Sequence, residues 1–228
     1  MLDDAGISFD AKTGSDTLVV FFAGLGGNSP HAKFQFIESS SRQIGDVGRM
    51  FVRDKEKAWY QFGAPPTAQS ISELGMQLKH HIAESGASKV VFLGGSMGGF
   101  AAILFSSLLG IGSAIAFSPQ TFLDPVNRLR HGDHRWTKDV ARLWWKSLGR
   151  ERCWDLLPVL RRQRPPVGIT VYYAAHHRLD RAHAMRLGAI PNVNLVGIES
   201  RDHNIVRAVR ETGRLRGVLE QHPSSVLR

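Results

Sequence analysis

The chain has 228 residues, 43% of them hydrophobic and 21% charged, which is enough to bury a full α/β core without covalent staples. Its single cysteine, Cys153, excludes an internal disulfide and favours a reducing compartment. The acidic opening Met1-Leu2-Asp3-Asp4 carries no apolar stretch of signal-peptide type, so a cytoplasmic location is expected.

Apolar runs alternate along the chain at intervals that suit strands and helices. Thr17-Leu18-Val19-Val20-Phe21-Phe22 predicts a buried strand, ending in the glycine-rich turn Gly24-Leu25-Gly26-Gly27-Asn28. Residues 48–53 predict a second strand. Residues 70–85 predict a helix, with Ile71, Leu74, Leu78 and Ile82 at helical spacing and Gly86 at the C-terminal cap. Residues 89–93 form the next strand, 100–109 a helix and 113–117 another strand, ending at Ser118-Pro119. The uncharged stretch 99–117 is long enough to resemble a membrane span, but Gly110 and Gly112 divide it into a buried helix and a buried strand. Residues 167–174 and 193–198 supply the last strands. The alternation implies right-handed crossovers and an α/β fold with a mostly parallel central sheet flanked by helices. Neither an internal repeat nor a low-complexity linker interrupts residues 1–228, which read as a single domain.

Charge is uneven. Residues 128–164 hold eleven Lys/Arg against four acids, most of the net charge of +9, and four of the five tryptophans. This segment, residues 124–166 and closed by Arg164-Pro165-Pro166, reads as a short helical cap inserted into the domain. Val140, Leu143, Trp144 and Leu148 fall at helical spacing and are expected to face the core, leaving the cations in water. Arginine interleaved with tryptophan also suits nucleic acid, but the amphipathic reading explains the same residues and nucleic acid is not the expected partner.

Gly94-Gly95-Ser96-Met97-Gly98 follows one apolar run and precedes Gly99-Phe100-Ala101-Ala102. A serine on a sharp strand-to-helix turn needs this context, because small neighbours let strand and helix close around a strained residue. Ser96 is therefore the candidate nucleophile; the alternative is that the glycines serve packing alone.

With Phe22-Ala23-Gly24 and the serine turn, residues 17–210 resemble the α/β-hydrolase superfamily, and in particular small bacterial serine esterases. That resemblance implies the chain order serine, acid, histidine. It places the acid at Asp180, after residues 167–174, and the general base at His203, after residues 193–198. Asp124 and Asp202 are rival acids and His222 a rival base. It implies an oxyanion hole from the backbone N–H groups of Met97 and Leu25, the latter in the turn where the family's His-Gly-x stands, here with Ala23 in place of histidine. It also implies cleavage of an ester or thioester without a cofactor, with an acyltransferase or a non-catalytic binding protein as alternatives. The early antiparallel strands of the family are expected to be reduced or missing. The first glycine-rich loop, the stretch from Asp54 to Trp59-Tyr60 and the short cap are similar to hydrolase-like proteins linked to bacterial surface polysaccharides. A small-molecule or glycan acyl ester is the expected substrate, bound by Gly24, Arg135, Trp136, Trp144 and Trp145, with the cap's cations favouring anionic groups. Two competing patterns are weaker. Gly24-Leu25-Gly26 lacks the third glycine of a dinucleotide loop, with Ser29 in its place. His176, His177, Asp180 and His183 could be drawn as a metal cluster, but an acid-bearing loop accounts for them and no metal is expected.

Overall fold

The computed structural model describes residues 6–10, 15–26, 47–163 and 166–211. Gly27, Asn28, Ser29, Arg164, Pro165 and His222 lie outside them.

Among the described residues, seven strands form one sheet: β1 (Ile7–Asp10), β2 (Thr17–Phe22), β3 (Gly48–Val52), β4 (Lys89–Gly95), β5 (Ser113–Phe117), β6 (Gly168–Ala174) and β7 (Val193–Ile198). Their order is β1-β3-β2-β4-β5-β6-β7, all parallel except β1, which runs antiparallel to β3 from Ile7↔Val52 to Asp10↔Arg49. One early antiparallel strand is thus retained. The expected strands Thr17–Phe22, Ser113–Phe117 and Val193–Ile198 have the expected bounds.

The period of two along each strand feeds two cores. Leu18, Val20 and Phe22 face one layer with α1 (Ile71–Ser85) and α2 (Met97–Leu109). Val19, Phe21, Leu93 and Phe117 face the other, closed by Ile205, Val206 and Val209. Ser70 caps α1 by accepting the Glu73 N–H, and Gly86 ends it in the left-handed region at φ 65°. Gly110 likewise ends α2 at φ 63°, and β5 starts three residues later, so residues 99–117 divide as the glycines require. No helix among the described residues is long and apolar enough to cross a membrane.

The segment expected to form a cap holds, among its described residues, three short helices, α3 (Pro125–His131), α4 (Thr137–Lys146) and α5 (Leu156–Arg162). Val140 and Leu143 are buried and Trp144 packs against the core, as the spacing predicts. Leu148 does not: α4 stops at Lys146 with Ser147 as its cap, and Leu148 is 64% exposed. Helix α6 (Arg178–Met185) follows β6, and α7 (Ile205–Glu211) follows β7.

Because β3 lies on one side of β2 and β4 on the other, the direction of crossover reverses between β2 and β4. Loops leaving the carboxyl ends of such strands separate and open a crevice there. The turns after β2, β4, β5, β6 and β7 all end on this edge.

Candidate active site

Strand β4 ends at Gly95, and Ser96 stands at φ 55°, ψ −118° before α2 begins. An L-residue holds such a conformation only where its surroundings impose it. A Cβ on Gly94 would lie 2.3 Å from the Gly98 carbonyl, and one on Gly98 2.3 Å from the Phe22 carbonyl oxygen. The backbone is that close, which is why the sequence places glycine at both positions. The Ser96 N–H donates to Phe117 O at 2.8 Å, and its side chain makes no helix-capping bond, leaving Oγ directed into the crevice.

His203 Nε2 lies 3.1 Å from Ser96 Oγ, and its Nδ1 lies 2.8 Å from Asp180 Oδ1. The three residues that the resemblance selected thus meet, across 107 and 23 positions of sequence. Asp180 sits in the first turn of α6, its own N–H donating to Nδ1 of His177. Burial raises its carboxyl, but the hydrogen bond and charge of His203, together with Ser118 and His177, hold it below the ordinary carboxylate range. The rival acids have other tasks. Asp124 caps α3 through the Asn127 N–H, and exposed Asp202 accepts from the Asn204 N–H just before α7.

A second chain of polar groups also ends on Ser96. Gln120, two residues after the left-handed Ser118 (φ 42°), donates from Nε2 to Ser96 Oγ at 2.7 Å. Its Oε1 accepts the Trp59 indole N–H at 2.9 Å. Trp59 belongs to a turn built on buried Asp54, whose carboxylate accepts the N–H groups of Glu56, Ala58 and Tyr60. Burial pushes the Asp54 carboxyl up to about 6 against those three donors. The turn holds Lys57, Trp59 and Tyr60 at positive φ, and the one proton of the Tyr60 hydroxyl is shared between the carbonyls of Ala23 at 2.9 Å and Val52 at 3.0 Å. One turn therefore braces both the serine and the chain entering the Leu25 loop. Gln120, Trp59 and Asp54 were not identified as site residues from sequence. The available signal was a glutamine just past a strand's carboxyl end, beside the end of the serine strand.

The cavity over Ser96 has a volume of about 190 Å³ and is lined by Leu25, Gly26, Gly95, Phe117, Trp136, His203, Asn204 and Val206. Leu25, in the turn after β2, is among these lining residues. Met97, directly after Ser96, opens α2, where first-turn N–H groups have no intrahelical acceptor. Trp136 lines the cavity, with its ring 5.9 Å from that of His203. Gly24, Trp144 and Trp145 do not line it. Gly24 is buried, Trp144 packs edge-on to Trp154, and Trp145 is 77% exposed on the cap. Arg135 corrects a further expectation. Its guanidinium is committed to Asp133 at 2.9 Å and to Asp180 at 3.1 Å, so it braces the acid instead of facing substrate. No lysine or arginine lines the cavity among the described residues.

Of the residues that could be drawn as a metal cluster, only His177 approaches Asp180, with Nδ1 3.1 Å from Oδ1. His183 is buried, its Nδ1 accepting the Thr121 N–H, which leaves Nε2–H to donate to Asp133 at 2.9 Å. His176 pairs with Glu199 at the surface. Among the described residues, no group of three His, Cys, Asp or Glu side chains is arranged to hold a metal ion. Burial pushes the Cys153 thiol up to about 12, which makes it inert as a nucleophile at neutral pH.

Neither a protein-family model nor a curated protein matches the sequence. Solved structures do match in fold. The capsule O-acetyltransferase of Neisseria meningitidis serogroup A aligns with 95% of this chain and 92% of its own, at TM-score 0.65 and 14% identity. A lipase-esterase related protein from Clostridium acetobutylicum aligns over 95% and 98%, at TM-score 0.61 and 11% identity. The fold is that of the α/β hydrolases. The Glycosylation Associate Protein (Gap123) complex from Streptococcus agalactiae shares it over 94% of this chain but only 43% of that one, at TM-score 0.56 and 17% identity. Along the chain, Ser96 follows β4, Asp180 follows β6 and His203 follows β7.

Proposed function

We propose that the protein is a serine-dependent acyl-transfer enzyme that cleaves an ester or thioester through an acyl-enzyme. The observation that carries this reading is the unbroken hydrogen-bond chain Ser96–His203–Asp180 at the carboxyl edge of the sheet. Asp180, ionised at neutral pH, can only accept, so Nδ1 of His203 carries the proton and Nε2 is free to take one from Ser96. Oγ attacks the acyl carbonyl as its proton passes to Nε2, and Asp180 stabilises the resulting imidazolium. The N–H groups of Leu25 and Met97 receive the oxyanion. The C–O or C–S bond then breaks, the leaving group takes the proton from Nε2, and the acyl group remains on Ser96. Water, activated by the same histidine, releases the acid and restores the serine.

Acyl esters of carbohydrate are the proposed substrate class. Trp136 offers an aromatic surface beside His203 on which a sugar ring can stack. The fold's likeness to a capsule O-acetyltransferase favours a second reading, in which a saccharide hydroxyl replaces water as the acceptor.

Hydrolysis of short p-nitrophenyl esters and acetylated saccharides, with and without added saccharide acceptor, tests both. Turnover that disappears in Ser96→Ala is expected, and acyl-saccharide product in the presence of acceptor would select transfer. Turnover that survives Ser96→Ala would overturn the proposal.

A further inference from the structure

Two hydrogen-bond chains end on Ser96 Oγ, and the donor and acceptor limits of their far ends fix the direction of both. From one side, the Asp180 carboxylate forces His203 to present a bare Nε2, so the serine proton points there. From the other, the Trp59 indole N–H can only donate, so Gln120 must turn Oε1 to it and Nε2–H to Ser96. The two assignments agree: Oγ donates once, to His203, and accepts once, from Gln120. An sp3 oxygen with those two bonds and its Cβ keeps one lone pair, the one that would attack a carbonyl.

We infer that Gln120 is a catalytic residue of the Ser96 reaction, an N–H donor held to the nucleophile oxygen, and that Trp59 is the positioning residue fixing the amide's orientation. The inference rests on the reading of Ser96 as nucleophile. As the Ser96 proton moves to His203, negative charge develops on Oγ, and a fixed donor at 2.7 Å stabilises it. The same donor serves when the acyl-enzyme breaks down, because Oγ is then the departing oxygen and carries the charge again. Gln120 is 2% exposed and Trp59 fully buried, so the donor is in place before substrate arrives and water does not compete for it. The Asp54 turn with its left-handed Trp59 gains a purpose: it delivers an indole N–H to the back of the glutamine.

The test is the second-order rate of Ser96 modification by a fluorophosphonate across pH, for wild type, Gln120→Glu, Trp59→Phe and Ser96→Ala, each checked by circular dichroism and thermal unfolding. Gln120→Glu keeps shape but presents an acceptor that draws the serine proton away from His203. Its rate is expected to fall about 10²-fold at neutral pH, comparable to losing an oxyanion donor. That deficit should narrow as pH falls, because the protonated carboxyl can donate again. Trp59→Phe keeps an aromatic side chain but removes the indole N–H and frees the amide to flip, and should cost several-fold with a wild-type pH profile. A folded Gln120→Glu or Trp59→Phe protein at the wild-type rate, or a Gln120→Glu deficit constant with pH, would overturn the role of Gln120. Modification that persists in Ser96→Ala would instead overturn the reading of Ser96 itself.

Discussion

Replacing Gly98 with alanine would place a methyl carbon 2.3 Å from the Phe22 carbonyl oxygen, 2.9 Å from its carbon and 3.0 Å from the Ala23 carbonyl oxygen. Ordinary contact begins near 3.4 Å, so about 1 Å of overlap must be relieved by separating α2 from the end of β2. Both partners are backbone and both are buried, so no side chain can swing aside. The cost should reach the upper end for overpacking, about 3 kcal/mol. The direction of relief also matters, because β2 leads through Ala23 into the Leu25 loop while α2 carries Ser96 and Met97 at its start. Opening that joint moves the two proposed oxyanion donors apart, and a displacement of about 1 Å can lower a rate about 10²-fold. Urea unfolding and the rate of Ser96 modification measure the two effects on one sample. A Gly98→Ala protein within about 0.5 kcal/mol of wild type and modified at its rate would refute the reasoning that this close approach shapes the serine turn.

Gly75 is the contrasting case. It lies inside α1, where a Cβ would meet only Leu109 Cδ2 at 3.9 Å, so Gly75→Ala should stabilise by about 0.5–1 kcal/mol in the same unfolding assay. Arg135→Gln withdraws the cation from two buried carboxylates and should destabilise by about 3 kcal/mol, while activity falls without vanishing because His203 still holds Asp180. Burial holds the His183 imidazole at about 4, below its ordinary 6.5. Above 6.5 the group is neutral folded and unfolded alike; as pH falls from 6.5 through 4 only the unfolded chain gains the proton. Stability should therefore drop by about 3 kcal/mol over that window, and His183→Gln should flatten this part of the unfolding profile.

What the sequence shows and what it hides divide along the range of the interactions involved. Strands β2, β5 and β7 are legible because their apolar runs are bounded by turn residues. Strand β4 runs two residues beyond its apolar stretch, since Gly94 and Gly95 still pair with Phe22 and Phe117. Helix α2 begins at Met97 instead of Phe100 because the serine turn starts it despite two glycines. Strand β1 has only four residues and gains its partner across the sheet, at Ile7↔Val52, so nothing local marks it. Ser96, Asp180 and His203, whose side chains meet, could be singled out as candidates because the resemblance supplies a chain order. Gln120 could not, because its partner Trp59 lies 61 residues away on a backbone whose positive φ has no sequence marker at a tryptophan. Arg135, in a basic tryptophan-rich segment, resembles a substrate ligand until the fold brings Asp180 to it from 45 residues away.

The most direct measurement is intact-mass analysis after treatment with a fluorophosphonate, followed by peptide mapping, on wild type beside Ser96→Ala and His203→Ala. The account predicts one adduct on the wild type, located at Ser96, none on Ser96→Ala and strongly slowed reaction on His203→Ala. A folded wild type that takes no adduct, or one modified equally well without Ser96 or without His203, would contradict it.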